Sequence, residues 1–146
     1  MSTNIFVSYA TADLARSTAF YTALGATINP LFTDDNATCL VWDDNIYLMV
    51  LKREFFATFT DKQIADPATS AQVQIAFSRD SREEVDAVAE AGLAAGGSEP
   101  RPAQDLGFMY SRDLEDPDGN IVAFLWMAPE AVEQGPAEYS AAQAQA

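Results

Sequence analysis

Apolar positions along the chain recur in one order, twice. Ile5 to Tyr9 is a short β-prone run, and after it Leu14, Phe20, Tyr21 and Leu24 fall at helical spacing. Thr11 or Asp13 supplies the N-cap of that helix and Gly25 its stop. Three strand-like runs follow, Thr27 to Phe32, Ala37 to Trp42 and Ile46 to Leu51. The clusters Thr33-Asp34-Asp35-Asn36 and Asp43-Asp44-Asn45 between them read as hairpin turns. The second half repeats the order. Val73 to Phe77 predicts a strand, and Asp80 or Ser81 caps a helix with Glu83 and Glu84 in its first turn and Val85, Val88, Ala89 and Leu93 on its apolar face. Gly96-Gly97 ends it, a strand is expected around Glu99 to Pro102, and Phe108 to Leu114 and Ile121 to Met127 form the last two strands around Asp116-Pro117-Asp118-Gly119.

The prediction is therefore an α+β chain of two tandem βαβββ modules. Neither module can bury its sheet alone, so the two are expected to pair into a curved mixed sheet around a cavity, with helices on the outside. Module one spans 3–52, a connecting helix 53–70 and module two 71–128. Within the connector, Phe55, Phe56 and Phe59 sit at helical spacing before Asp66-Pro67. The remainder, 129–146, is rich in Ala, Gln, Glu and Pro and reads as a flexible tail. Aligning the halves superposes Ile5-Phe6-Val7-Ser8-Tyr9 on Val73-Gln74-Ile75-Ala76-Phe77, and Asp44-Asn45-Ile46 on Gly119-Asn120-Ile121. Phe6 then matches Gln74, and Leu48 matches Ala123.

Charge narrows the partners. Eight basic against 22 acidic residues give a net charge of -14, which repels phosphate backbones and anionic bilayers. Nucleic acid and membrane are thus excluded as expected partners, and a cationic ligand is weakly attracted. A single cysteine, Cys39, forms no intrachain disulfide, no apolar run nears the ~18 residues of a membrane span, and Met1 to Tyr9 does not resemble a signal peptide. A cytoplasmic protein is expected.

Two motifs then carry a family resemblance. Thr11-Ala12-Asp13-Leu14-Ala15-Arg16-Ser17-Thr18-Ala19-Phe20-Tyr21-Thr22-Ala23-Leu24-Gly25 resembles the DL-x-x-S-x-x-FY-x-x-LG signature of the vicinal oxygen chelate superfamily, and Asp116-Pro117-Asp118-Gly119-Asn120 its DPDGN turn. The superfamily groups glyoxalases, extradiol dioxygenases, epimerases, fosfomycin-modifying enzymes and bleomycin-binding proteins. The resemblance implies paired modules around a cavity, frequently a homodimer, and in metal-using relatives one ligand from the first and last strand of each module. Carried onto this sequence, those positions are Phe6, Leu48, Gln74 and Ala123. Phe, Leu and Ala offer no lone pair, Gln74 offers one neutral oxygen, and the chain contains no His. No metal and no other cofactor is therefore expected.

Strand alternation puts Phe6 and Ser8, Leu48 and Val50, Gln74 and Ala76, Ala123 and Leu125 on the cavity side, and Val7, Tyr9, Ile75 and Phe77 under the helices. On the penultimate strand Ser111, Asp113 and Glu115 share a face, and in relatives this strand brings a polar group towards the substrate. The expected ligand-binding set is Phe6, Ser8, Leu48, Val50, Gln74, Ser111 and Ala123; Asp113 and Glu115 are candidate general bases. Trp42 and Trp126 are read as core, and Cys39, with no His to pair with, as an inert thiol. The leading functional expectation is a metal-free homodimeric protein that sequesters a small apolar or cationic ligand, as the bleomycin-resistance branch does. The alternatives are a glyoxalase-like or dioxygenase-like enzyme with a non-standard site, and a dimeric interaction module whose cavity is filled.

Overall fold

The computed structural model describes residues 2–145; Met1 and Ala146, the last residue of the expected tail, lie outside them. In module one, strand β1 (Ile5–Thr11), helix α1 (Leu14–Ala23), β2 (Thr27–Ile28), β3 (Ala37–Asp43) and β4 (Ile46–Lys52) follow in order. In module two, β5 (Gln74–Ser78), helix α3 (Arg82–Ala94), β6 (Gln104–Asp105), β7 (Met109–Glu115) and β8 (Ile121–Met127) do the same. Between them stand the four-residue helix α2 (Arg53–Phe56) and a 3-10 turn over Ala57–Phe59. Each module forms its own mixed sheet, ordered β1-β4-β3-β2 and β5-β8-β7-β6, in which only the first and last strands of a module pair in parallel. Two tandem βαβββ units are thus present as two four-stranded sheets that do not close into one barrel.

Local chemistry explains the boundaries. Of the two residues proposed to cap α1, Asp13 is the cap: its carboxylate accepts the Arg16 amide at 3.0 Å. Ser81 caps α3 by accepting the Glu84 amide, and the Glu84 carboxylate reaches back to the Asp80 amide at 2.8 Å. The run Thr27 to Phe32 was expected to be one strand. It breaks after Ile28 because Pro30 opens a 3-10 turn over Pro30–Phe32, with the Asn29 side chain accepting the Leu31 amide. The strand expected around Glu99 to Pro102 instead forms at Gln104–Asp105, past both prolines, leaving only a bridge between Ser98 and Glu115. The 129–146 segment, expected to be a flexible tail, carries helices α4 (Pro129–Gln134) and α5 (Pro136–Ala144); each has Pro in its first turn, and Ala131 is buried.

One core serves both modules. Phe20, Tyr21 and Leu24 of α1 and Val85, Val88 and Ala89 of α3 bury against Leu40, Leu48 and Val50 of the first sheet and Leu114, Val122 and Phe124 of the second. Gly92 and Gly97 let the layers approach: a Cβ at Gly92 would sit 2.6 Å from the Leu114 side chain, and one at Gly97 2.5 Å from the Phe20 ring. Trp42 stacks on Phe77 at 4.2 Å across the module boundary, and Tyr21 meets Trp42 edge-on. No helix among the described residues is long and apolar enough to cross a membrane.

Candidate functional site

The strand register decides which side chains leave the core. Phe6 pairs with Tyr47, Val7 with Leu48 and Ser8 with Met49, so the face away from the helices carries Phe6, Ser8, Tyr47, Met49 and Leu51. Phe6 stacks on Tyr47 at 4.6 Å with 58% of its surface in solvent. In the second sheet, Gln74 pairs with Ile121, Ala76 with Ala123 and Ser78 with Leu125. Asp113 lies opposite Ala123, Ser111 opposite Leu125 and Glu115 opposite Ile121, so the three residues on the penultimate strand do share this open face with Gln74 and Ala123.

Two residues of the expected ligand-binding set are displaced. Leu48 and Val50 lie on the helix-covered face, 2% and 1% exposed, among the α1 and α3 side chains. The equivalent of Ala123 is Met49, one residue further on. The repeated Asn-Ile pair hid the slip: β4 enters after Asp43-Asp44-Asn45 with a register shift between Val41 and Asp43, whereas β8 enters after the longer turn closed by Asp116. The rest of the set keeps its face but differs in access. Phe6, Ser8 and Gln74 are exposed, while Ser111 and Ala123 are buried.

The corrected metal-ligand positions are Phe6, Met49, Gln74 and Ala123. They offer one thioether and one amide oxygen, neither suited to a divalent ion that seeks imidazole or carboxylate. Among the described residues, no group of three or more His, Cys, Asp or Glu is arranged to hold a metal ion. The donor set therefore does not fit the ion that the superfamily resemblance implies. Cys39 lies opposite Met49 on the open face but is 1% exposed, and burial pushes its thiol pKa up, which suits an unreactive thiol.

Tyr110 and Arg112, the other polar residues of β7, face the opposite way. The Tyr110 hydroxyl donates to Asp86 at 2.6 Å, and the Arg112 guanidinium reaches Asp86, Glu90 and both oxygens of Glu99. These bonds tie β7 to α3 and to the segment preceding β6, and leave neither residue for a ligand. Trp126 is likewise covered, by the Arg82 guanidinium at 5.0 Å.

A second recess lies where the modules meet. Ser8, Tyr9 and Ala10 of β1, the connector from Phe56 to Val73, and Gly119, Asn120 and Ile121 at the head of β8 enclose a cleft of about 430 Å³. Its connector wall is fixed by Arg53, whose guanidinium donates to the Ile64 and Ala65 carbonyls at 3.3 Å. The Asp66 carboxylate accepts the Ala68 amide, and a Cβ at Gly119 would lie 2.7 Å from the Pro67 carbonyl oxygen. Of the expected site residues only Ser8 lines this cleft. Residues 60–73 carry no periodic pattern and no regular element, so nothing in the sequence marks them as a wall.

The motifs that carried the resemblance prove to be one assembly. Asp116 is buried, its Oδ1 accepting the amides of Asp118, Gly119 and Asn120 and its Oδ2 the Tyr21 hydroxyl at 2.7 Å and the Asn120 amide group at 3.0 Å. Asp118 accepts from the Thr11 hydroxyl at 2.6 Å and the Ala12 amide at 2.9 Å. The turn before β8 is thus bolted to both ends of the helix signature.

Tandem βαβββ modules with an open sheet face and this turn define the vicinal oxygen chelate fold. Residues 3–42 match the family model described as bleomycin resistance protein-like N-terminal. A hypothetical protein of S. aureus, SA1046, superposes with a TM-score of 0.73 at 21% identity, over 86% of this chain and 94% of that one. A glyoxalase/bleomycin resistance protein/dioxygenase family enzyme of Burkholderia phytofirmans does so at 0.70 and 19%, over 84% and 96%. The fosfomycin resistance protein FosX of Listeria monocytogenes gives 0.64 and 19%, over 89% and 97%. No curated protein matches the sequence. The chain has the glyoxalase and bleomycin-resistance fold.

Proposed function

We propose that this chain is a metal-free, cytoplasmic small-molecule-binding protein that works as a homodimer and sequesters an apolar or cationic ligand. The observation that carries the reading is the Phe6–Tyr47 pair, a stacked aromatic surface on the sheet face where metal-using relatives place a ligand, in which Phe6 is 58% exposed and Tyr47 partly buried. A single chain gains nothing by exposing such a ring; a planar apolar molecule or a second copy would cover it. Asp113 and Glu115 on the open face of the other sheet, and a net charge of -14, favour a cation over an anion there. The likeness to bleomycin resistance proteins supports binding without turnover; the likeness to FosX supports no particular chemistry, because at 19% identity it concerns the fold.

One observation favours a second reading. Asp113 sits directly across from Ala123, next to the place where a metal-using relative carries its last ligand, so an enzyme that uses this carboxylate as a base is the alternative.

Light scattering with a thermal-shift series of planar aromatic cations tests the proposal. A dimer whose melting temperature rises with the concentration of one compound, and an effect abolished by Phe6→Ala, is the expected result. A monomer with no stabilisation by any planar cation overturns it. Turnover that is lost in Asp113→Asn favours the enzyme.

A further inference from the structure

The cleft at the module junction differs in charge from the rest of the molecule. Among its seventeen lining residues there is one lysine, Lys62, and no aspartate or glutamate. A sample of that size at the chain's acidic content, 22 in 146, would hold two or three carboxylates. Lys62 makes no ion pair with any described residue, as is also true of Lys52, Arg53, Arg79 and Arg101. The lining otherwise combines apolar walls, Phe56, Ile64 and Ile121, with the neutral hydrogen-bonding side chains of Gln63, Gln72 and Asn120.

Volume and rigidity suit a small ligand. About 430 Å³ falls within the range of small-molecule pockets, and the connector that forms the outer wall is held by Arg53 and by its contact over Gly119 rather than left to close on binding. The Tyr9 hydroxyl, 3.5 Å from the Ile121 carbonyl, joins the two modules at the same place.

We propose that this cleft, which shares Ser8 and Ile121 with the edge of the open sheet face, is a second binding site and that it takes a small amphipathic carboxylate. The apolar part of the ligand packs against Phe56, Ile64 and Ile121, and its carboxylate meets the Lys62 ammonium and the neighbouring amide side chains. The chain carries a net charge of -14, whereas this lining carries one positive charge and no carboxylate, which removes the close like-charge repulsion a bound carboxylate would otherwise meet. Selection thus rests on one positive charge in an acid-free recess, with the acidic remainder of the surface disfavouring binding elsewhere.

The test is an NMR amide titration of the full chain with three probes of equal length, hexanoate, hexylamine and hexan-1-ol. Hexanoate is expected to give saturable shifts at Ser8, Ile64 and Asn120, at least tenfold tighter than hexylamine. Lys62→Gln should weaken it at least fivefold, Lys62→Arg should restore most of the loss, and Gln63→Glu should abolish it. Lys62 is exposed and bonds only through its backbone amide, to the Thr60 hydroxyl, so these variants fold. Hexylamine binding as tightly as hexanoate, an unchanged Lys62→Gln, or no saturable shift each overturns the proposal. Hexanoate shifts confined to Phe6 and Tyr47 overturn it too, since the carboxylate would then occupy the open face; failure of the planar cations above leaves this outcome untouched.

Discussion

Replacing Tyr21 by Phe removes one hydroxyl and tests whether the two motifs hold the modules together. Tyr21 is fully buried and its hydroxyl donates to Asp116 Oδ2 at 2.7 Å; burial and the nearby Asp116 charge hold the phenol's pKa well above its ordinary value. A hydrogen bond to a charged acceptor contributes about 1.5–3 kcal/mol, and its loss here leaves a buried carboxylate oxygen with only the Asn120 side chain as donor. With a melting point that moves ~2–4 °C per kcal/mol in a chain of this size, Tyr21→Phe should melt roughly 3–12 °C below the parent. Urea unfolding followed by tryptophan fluorescence reports it directly, because Trp42 contacts the Tyr21 ring at 6.4 Å. The same substitution made in Asp116→Ala should cost at least ~1 kcal/mol less, since the acceptor is already gone. A loss below about 0.5 kcal/mol, or an equal loss in both backgrounds, would show that the bond does not clamp the modules.

The register makes a sharper prediction for adjacent residues: Leu48→Asp buries an unpaired carboxylate in the shared core and should unfold the chain or cost more than ~4 kcal/mol, whereas Met49→Asp, on the half-buried open face, should cost less than ~2, both read by urea denaturation. Arg112→Met strands three carboxylates and should cost about 2–3 kcal/mol near neutral pH, less than for a deeply buried pair because Asp86 and Glu90 are half exposed or more. The Arg112 hydrogen bond holds the Glu99 pKa below its ordinary value, so this pair stabilises fully above about pH 4.3 and the gain is lost as pH falls through the depressed value; acid unfolding monitored by circular dichroism should flatten in that window in Arg112→Met. Burial and the Asp116 charge raise the Tyr9 pKa to about 12, so its contribution is intact below pH ~10 and lost on the way to pH 12; absorbance at the phenolate band in Tyr9→Phe should lose a transition near pH 12 and none near pH 10.

Element order was legible because each signal was local. Caps at Asp13 and Ser81, stops at Gly25 and Gly96, and acidic turns before β4 and β8 each fix a boundary from a few residues. Register was not local. A strand shows which residues alternate, but the face taken by β4 depends on where it pairs with β1, forty residues earlier, and a slip of one residue exchanges the two faces completely. Phe6, Gln74 and Ala123 accordingly share the open face, while Leu48 and Val50 lie under the helices, one residue out of the expected register. The junction cleft was invisible for a different reason: its outer wall is an irregular segment whose position is set by two carbonyls held by Arg53 and by the missing Cβ of Gly119.

The same contacts separate what the signature motifs say about fold from what they say about chemistry. Tyr21, Asp116 and Asp118 bond to one another's elements at the module junction, and Thr11 with Ala12 completes the set. None of these groups is a ligand position; their contacts dock β8 against α1. The positions that would hold a metal lie on four strands, Phe6 and Gln74 at the starts of β1 and β5 and Met49 and Ala123 within β4 and β8, and face the open side away from that docking. Phe6 and Gln74 are exposed there and free to change without breaking the clamp. The motifs thus build the architecture without carboxylate or imidazole at Phe6, Met49, Gln74 and Ala123, and the chemistry of the site has to be read from Phe6, Tyr47, Asp113 and the junction cleft rather than from the motifs that reveal the fold.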